Sequence, residues 1–297
     1  MNKIFKWIGI VLGSLIGLLL VLAVVFLILG SMRLNKSYDF PADGLVVPTD
    51  EASLERGRHI VETNCAQCHG ADLGGIDDWF KMEGVGKIDS SNLTTGSGGV
   101  GSVYTSDEDY VRAIRHGVGA DGKPIFMPAV LAYQHMSDED LGAVIAYLKV
   151  APPVDHETEG SFDAMGKVML GAGLFGKLPV EEVSHATNVT APEASVTVEY
   201  GEYLVTVGDC SSCHGADYAG GAYPDPAVIF PVPNITPAGN IGSWTEDEFI
   251  IAMRTGVTPD GKSLVPALMP IGAIGKMRDE ELKAVYLFLK SLPVVKN

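Results

Sequence analysis

Two short runs of the chain combine two thiols with an imidazole at a fixed spacing. Both read C-x-x-C-H, with Cys65, Cys68 and His69 in the first run and Cys210, Cys213 and His214 in the second. Two thiols at this spacing can form thioethers with the two vinyl groups of one porphyrin, and the adjacent imidazole can ligate its iron. The two runs use all four cysteines of the chain. The spacing therefore predicts two covalently attached haem c groups.

Three other uses of C-x-x-C pairs fit this chain less well. A zinc ribbon holds its two pairs roughly 15–20 residues apart, whereas these pairs lie in different halves of the chain. A thioredoxin-like dithiol would need a βαβ pattern nearby, which the sequence does not show. Disulfides within such tight pairs would be strained and would leave both histidines unexplained.

Each iron needs a second axial ligand opposite its histidine. Met127 and Met269 each precede a proline in a loop rich in proline and glycine, 62 and 59 residues after the first cysteine of their half. A thioether opposite an imidazole raises the potential of the iron, which suits electron transfer. Met127 and Met269 are therefore the predicted ligands. Met136 and Met277, at matching positions before the last helix of each half, stay open as alternatives.

The second half of the chain repeats the first at an offset of 139–145 residues. Asn92-Leu93-Thr94 corresponds to Asn234-Ile235-Thr236, and residues 121–123 correspond to 260–262. His116 and His135 have no histidine at the matching place, which disfavours bis-histidine ligation. The repeat predicts an anchor over 1–34, a linker over 35–49, a haem domain over 50–153, a connector over 154–194 and a second haem domain over 195–297.

Capping signals and helical periodicity predict several helices. They are a helix capped by Thr49 or Asp50 and ending near Asn64, a helix over 107–115, a helix opened by Ser137 and ending at Lys149, and a short packed helix within 162–178 of the connector.

The N-terminus carries a long apolar run. Trp7 to Leu29 is 23 residues without a charge, about 34 Å of helix against a hydrocarbon core of about 30 Å. Because a secretory signal has an apolar region of only roughly 7–15 residues, the run predicts an uncleaved anchor, with a cleaved signal as the alternative. Lys3 and Lys6 precede the run and Arg33 and Lys36 follow it, so charge alone does not orient it.

Within that run, Gly9, Gly13 and Gly17 recur every fourth residue. Such a tandem G-x-x-x-G lets a partner transmembrane helix approach closely. Glycine is also frequent in membrane helices for other reasons. A partner helix and a plain membrane helix are both compatible with the pattern.

The chain carries a net charge of −16. Nucleic-acid binding is disfavoured because there is no basic surface to displace counterions. An acidic surface can steer basic redox protein partners or can simply keep the chain soluble.

Together these motifs resemble class I c-type cytochromes in tandem. They look most like the cytochrome c subunits that accompany membrane-bound quinoprotein alcohol dehydrogenases, and related diheme cytochromes. The likeness covers about residues 50–153 and 195–297, and residues 234–262 are its most specific part. The resemblance implies an all-α fold with the first and last helices of each domain crossing, and the ligand pairs His69/Met127 and His214/Met269.

The resemblance also implies a location, because c-type cytochromes acquire their thioethers on the outer side of the cytoplasmic membrane. We therefore expect a single-pass membrane protein with a cytoplasmic N-terminus and haem domains on the periplasmic side. The expected function is transfer of single electrons from an extracytoplasmic or membrane-bound donor to an acceptor in a respiratory or photosynthetic chain. The alternatives are an electron-transfer subunit of a dehydrogenase or oxidase complex, and a diheme enzyme with one open haem.

Overall fold

The computed structural model describes residues 3–40, 44–224 and 228–296. Residues 1–2, 41–43, 225–227 and 297, to which the sequence analysis gave places in the anchor, the linker and the second domain, lie outside this description. The helices are α1 (Lys3–Leu34), α2 (Glu51–Asn64), α3 (Ala66–His69), α4 (Asp107–Val111), α5 (Val130–Tyr133), α6 (Asp138–Leu148), α7 (Ala164–Gly171), α8 (Pro179–Glu182), α9 (Val198–Val207), α10 (Cys210–His214), α11 (Glu246–Thr255), α12 (Ile271–Ile274) and α13 (Asp279–Ser291). The strands are β1 (Ile76–Met82), β2 (Gly86–Ser90), β3 (Ser161–Phe162), β4 (Gly221–Ala222) and β5 (Pro231–Val232).

In the first half, the long helices α2 and α6 pack against each other. The Asp50 side chain caps α2 by accepting from the backbone N–H of Ser53 at 3.0 Å. Gly57 lies at the helix contact, where a β-carbon would overlap the carbonyl of Ala143. Glycine therefore lets the two helix backbones approach closely.

The second half repeats this contact with α9 and α13. A β-carbon at Gly201 would overlap the carbonyl of Ala284, as one at Gly57 would overlap that of Ala143. The two glycines and the two alanines are thus equivalent positions of one duplicated unit. The helix-rich fold and the packing of first against last helix agree with the prediction.

Two small antiparallel sheets were not predicted. Strands β1, β2 and β3 form one sheet in that order, and β4 pairs with β5 in the other. All of β1 is exposed, so the first half carries a surface hairpin that the second half reduces to two residues per strand. The helix predicted over 107–115 is also split, because α4 continues as a π-helical turn over Arg112–His116.

Helix α1 is long and apolar enough, by length and composition, to cross a membrane. Its last turns pack on α7, where a β-carbon at Gly30 would overlap the carbonyl of Lys167 and one at Gly171 would overlap that of Phe26. The Arg33 guanidinium donates to the carbonyl of Leu170 at 2.8 Å. The N-terminal helix is thus joined to the connector.

The predicted glycine stripe lies elsewhere on α1. A β-carbon at Gly9, Gly13 or Gly17 would meet open space. No described part of the chain covers this face of the helix.

Candidate haem sites

The first C-x-x-C-H run folds directly after α2. Cys65 ends α2 and begins α3, which carries Cys68 and His69. The Nδ1 atom of His69 lies 2.7 Å from the carbonyl oxygen of Ser91. Because a carbonyl can only accept, Nδ1 carries the proton, and the lone pair of Nε2 is free to bind a metal. Burial lowers the pKa of His69, which favours the neutral imidazole that metals bind.

The second run repeats this arrangement on α10. The Nδ1 atom of His214 lies 2.9 Å from the carbonyl oxygen of Pro233, so its Nε2 is likewise the free nitrogen. Burial lowers the pKa of His214 as well. Asp209, directly before the first cysteine, adopts a left-handed conformation with φ of 56°.

The loop carrying the Ser91 carbonyl is held by Asn92, a residue that sequence reasoning did not single out as functional. Asn92 is fully buried. Its amide donates to the carbonyls of Val154 at 2.7 Å and His156 at 3.1 Å. Its Oδ1 accepts from the backbone N–H of Thr94 at 2.9 Å and from the Thr94 hydroxyl at 2.8 Å. These four hydrogen bonds of Asn92 hold the loop whose Ser91 carbonyl orients His69.

Asn234 is the equivalent loop-holding residue in the second half. Its Oδ1 accepts from the backbone N–H of Thr236 at 2.8 Å and from the Thr236 hydroxyl at 2.7 Å, and its amide donates to the carbonyl of Val295 at 2.7 Å. The only signal in the sequence was the repetition of N-x-T directly after the residue that supplies each carbonyl.

A cavity of about 550 Å³ adjoins the second site. Cys210, Cys213, His214, Met269 and Met277 all line it. Its size is that of a small-molecule or cofactor pocket, and two thiols and an imidazole reach it together. These residues fit a covalently bound haem. Both candidate methionines of this half share the cavity with the histidine.

In the first half, the candidate ligands differ clearly in burial. Met127 is half-buried and packs against the core cluster that also contacts Cys65. Met136 is 1% exposed and lies within that core. His116 is buried and its Nδ1 lies 3.1 Å from Nδ1 of His185, whereas His135 is exposed. His116 is thus packed and His135 is solvated.

The two halves meet through equivalent hydrogen bonds. Nε2 of His59 on α2 lies 2.8 Å from the Glu281 carboxylate at the start of α13. The hydroxyl of Tyr203 on α9 donates to the Asp140 carboxylate at the start of α6, at 2.6 Å. His59 and Tyr203 are equivalent positions, because each lies two residues after the glycine of its helix contact, Gly57 or Gly201. The two acids are equivalent as well, because each lies three residues before the alanine of that contact. Each half therefore offers the same surface to the other.

This contact brings the two sites close together. Helix α12 of the second half lies against α2 and α3 of the first. Burial, the thiols of Cys65 and Cys68, and the carboxylate of Asp209 raise the pKa of Tyr133 well above its ordinary value. The hydroxyl of Tyr133 on α5 donates to the carbonyl of Asn64 at 2.8 Å, directly before Cys65, and α5 also lies against α9, the helix that leads to Cys210.

Two family models match the chain, one in each half. The model described as "Cytochrome C oxidase, cbb3-type, subunit III" matches residues 52–148, and the model described as "Cytochrome c" matches residues 198–293.

Curated relatives match nearly the whole chain. The chain is 28% identical to the fructose dehydrogenase cytochrome subunit of Gluconobacter japonicus, over 85% of this chain and 55% of that protein. It is 27% identical to the cytochrome c subunit of the quinone alcohol dehydrogenase of Gluconacetobacter polyoxogenes, over 83% and 57%. A diheme cytochrome c-type protein of Cereibacter sphaeroides is 27% identical, over 83% and 88%. The chain thus spans little more than half the length of the two dehydrogenase subunits.

Proposed function

This chain is a tandem of two cytochrome c domains that bind haem c covalently, and from that premise we propose that it is a membrane-anchored carrier of single electrons. One duplicated arrangement carries the proposal: in each half, a histidine follows a C-x-x-C pair and donates through Nδ1 to a backbone carbonyl. Bound haem c supplies an iron that exchanges one electron at a time. The donor is extracytoplasmic or membrane-bound, and the acceptor belongs to a respiratory or photosynthetic chain.

The proposed attachment uses the same residue types in both domains. The cysteines would form the thioethers, the histidines would ligate iron through Nε2, and the methionines would supply a second ligand: Cys65, Cys68, His69 and Met127 in the first domain, and Cys210, Cys213, His214 and Met269 in the second. The Ser91 and Pro233 carbonyls fix the tautomer and ring plane of the two histidines and increase the electron donation of Nε2.

The choice among methionines rests on packing. Met136 lies in the core of the first domain, where methionine commonly fills gaps. Met127 is only half-buried and lies beside the cluster that contacts Cys65. The repeat then favours Met269 over Met277 in the second domain.

We propose that α1 is a retained, single-pass anchor with a cytoplasmic N-terminus and periplasmic haem domains. Support for retention comes from the packing of α7 on α1, which reaches back to Phe26 inside the apolar run that cleavage would remove. Arg33 donates to the Leu170 and Gly176 carbonyls at 2.8 and 3.0 Å and to the Glu181 carboxylate at 2.8 Å, and Gly30 is buried against α7.

A second candidate function is that of an electron-transfer subunit within a dehydrogenase complex. Two relatives named as dehydrogenase cytochrome subunits favour it. In that case the uncovered stripe of Gly9, Gly13 and Gly17 would receive a helix of a partner. Co-purification from membranes in mild detergent separates the two functions, and Gly13→Leu should then weaken the complex.

A redox titration with spectra of single-methionine variants tests the carrier proposal. We expect two haems by mass and by reduced-minus-oxidised spectrum. Met127→Ala and Met269→Ala should each convert one haem from low to high spin, while Met136→Ala and Met277→Ala, the matched controls, should leave both haems low-spin. A high-spin haem in the unmodified protein would instead favour a diheme enzyme with one open iron.

A further inference from the structure

The connector contains a turn that comes back toward the anchor. Helix α7 runs antiparallel to α1, because Lys167 lies at the level of Gly30 and Gly171, one turn later, lies at the level of Phe26. The turn after α7 therefore begins beside the apolar run of α1, and by Gly176, whose carbonyl accepts from Arg33 at 3.0 Å, the chain has turned back. In that run, Ala23 and Leu27 are half-buried.

The residues of this turn are apolar and exposed. Leu174 is 69% exposed and Phe175 is 37% exposed. The backbone holds them in place, since the N–H of Leu174 bonds to the carbonyl of Met169 at 2.9 Å and that of Gly173 to Leu170 at 3.2 Å. Gly173 is left-handed with φ of 77°, which completes a Schellman motif. Phe175 also packs against Phe162, with ring centroids 6.2 Å apart, so Leu174 is the more exposed of the two large apolar side chains on this turn.

The start of this turn lies near the position at which a bilayer crossed by α1 would end. Because the core spans about 20 residues of helix, a membrane that begins at Trp7 reaches to about Phe26. Leu174 and Phe175 follow Gly171, which contacts Phe26. Basic groups flank them, with Lys177 exposed and Lys167 half-buried, in a chain whose net charge is −16.

We propose that the turn over residues 172–177 is a second membrane contact, with Leu174 and Phe175 inserted into the outer leaflet beside α1. The inference rests on the proposed anchor. Apolar side chains with flanking lysines are the composition of an interfacial membrane segment. With α1 and the apolar part of this turn both in lipid, and Arg33 joining α1 to Gly176 of the turn, the first haem domain is held at a fixed height above the bilayer.

Single-thiol labelling of the full haem-loaded chain in lipid nanodiscs tests this inference. All four native cysteines belong to the C-x-x-C-H runs, so Leu174→Cys provides the one free thiol for an environment-sensitive fluorophore. Val150→Cys is the matched control, because Val150 is 62% exposed and also lies in the turn after a helix. Leu19→Cys, within α1, reports on the anchor itself.

The readout is quenching by nitroxides on the lipid acyl chains, normalised to nitroxide-free discs of the same lipids. We expect severalfold stronger quenching and a blue-shifted emission at position 174 compared with position 150. If position 19 is quenched while positions 174 and 150 respond alike, the turn lies in water and the inference is overturned with the anchor intact. If position 19 is not quenched, the proposed anchor and the proposed second membrane contact are both refuted.

Discussion

Asn92→Ala is the change that most directly tests how the first histidine is positioned. The side chain is fully buried and makes four hydrogen bonds, two to carbonyls and two from Thr94. At about 1 kcal/mol each, their loss would amount to about 4 kcal/mol. The Thr94 hydroxyl, however, also accepts from the backbone N–H of Val154 at 3.0 Å and holds part of the loop. We therefore expect a loss of about 3 kcal/mol.

The same variant should change the first haem. The released loop carries the Ser91 carbonyl, which accepts the Nδ1 proton of His69. A weaker acceptor leaves the imidazole a poorer electron donor to iron, so the midpoint potential of that haem should rise. The haem of the second domain should keep its potential, because Asn234 holds the equivalent loop there. It therefore serves as an internal reference.

Denaturant unfolding and a redox titration of the haem-loaded protein provide the two measurements. Asn240→Ala is the control for stability, because Asn240 is an exposed asparagine of the second domain. Asn92→Asp keeps an acceptor for Thr94 but places a buried carboxylate against the carbonyls of Val154 and His156, so it should destabilise the chain at least as much as Asn92→Ala. Equal stability and equal potentials in Asn92→Ala and Asn240→Ala would refute the assigned role.

Three further outcomes are expected. Tyr203→Phe removes the hydroxyl that donates to Asp140 at 2.6 Å, so it should destabilise the domain contact by about 2 kcal/mol in urea unfolding without altering either haem spectrum. Burial acts to raise the pKa of Glu281, but hydrogen bonds from an imidazole and a backbone N–H outweigh it and lower the pKa. Its ionised form therefore stabilises the fold above the unfolded value of 4.5, and the urea midpoint should drop as the pH falls through the folded pKa, less steeply in Glu281→Gln. Gly30→Leu should force α7 off α1 and speed proteolysis of the connector, whereas Gly9→Leu, in open space, should not.

The features that the sequence predicted correctly are those that depend on residues close together along the chain. Helix starts at Asp50 and Ser137 follow from capping side chains within three residues, and the C-x-x-C-H runs are local by nature. The contact between His59 and Glu281, 222 residues apart, was out of reach because it depends on how two separately folded domains dock. The surface hairpin of β1 and β2 escaped prediction for a different reason, since its exposed first strand lacks the alternation that marks a half-buried strand.

Duplication explains why the contact between the domains puts the two haem runs close together. A surface that packs against a copy of itself does so about a two-fold axis, with each residue pair occurring twice. The contacts His59–Glu281 and Tyr203–Asp140 are two copies of one such contact. His59 lies on α2 and Tyr203 lies on α9, and each of these helices leads directly into a C-x-x-C-H run. Because both helices lead directly into a C-x-x-C-H run, both runs lie near this two-fold contact. The proximity of the two C-x-x-C-H runs is therefore a consequence of the duplicated surface.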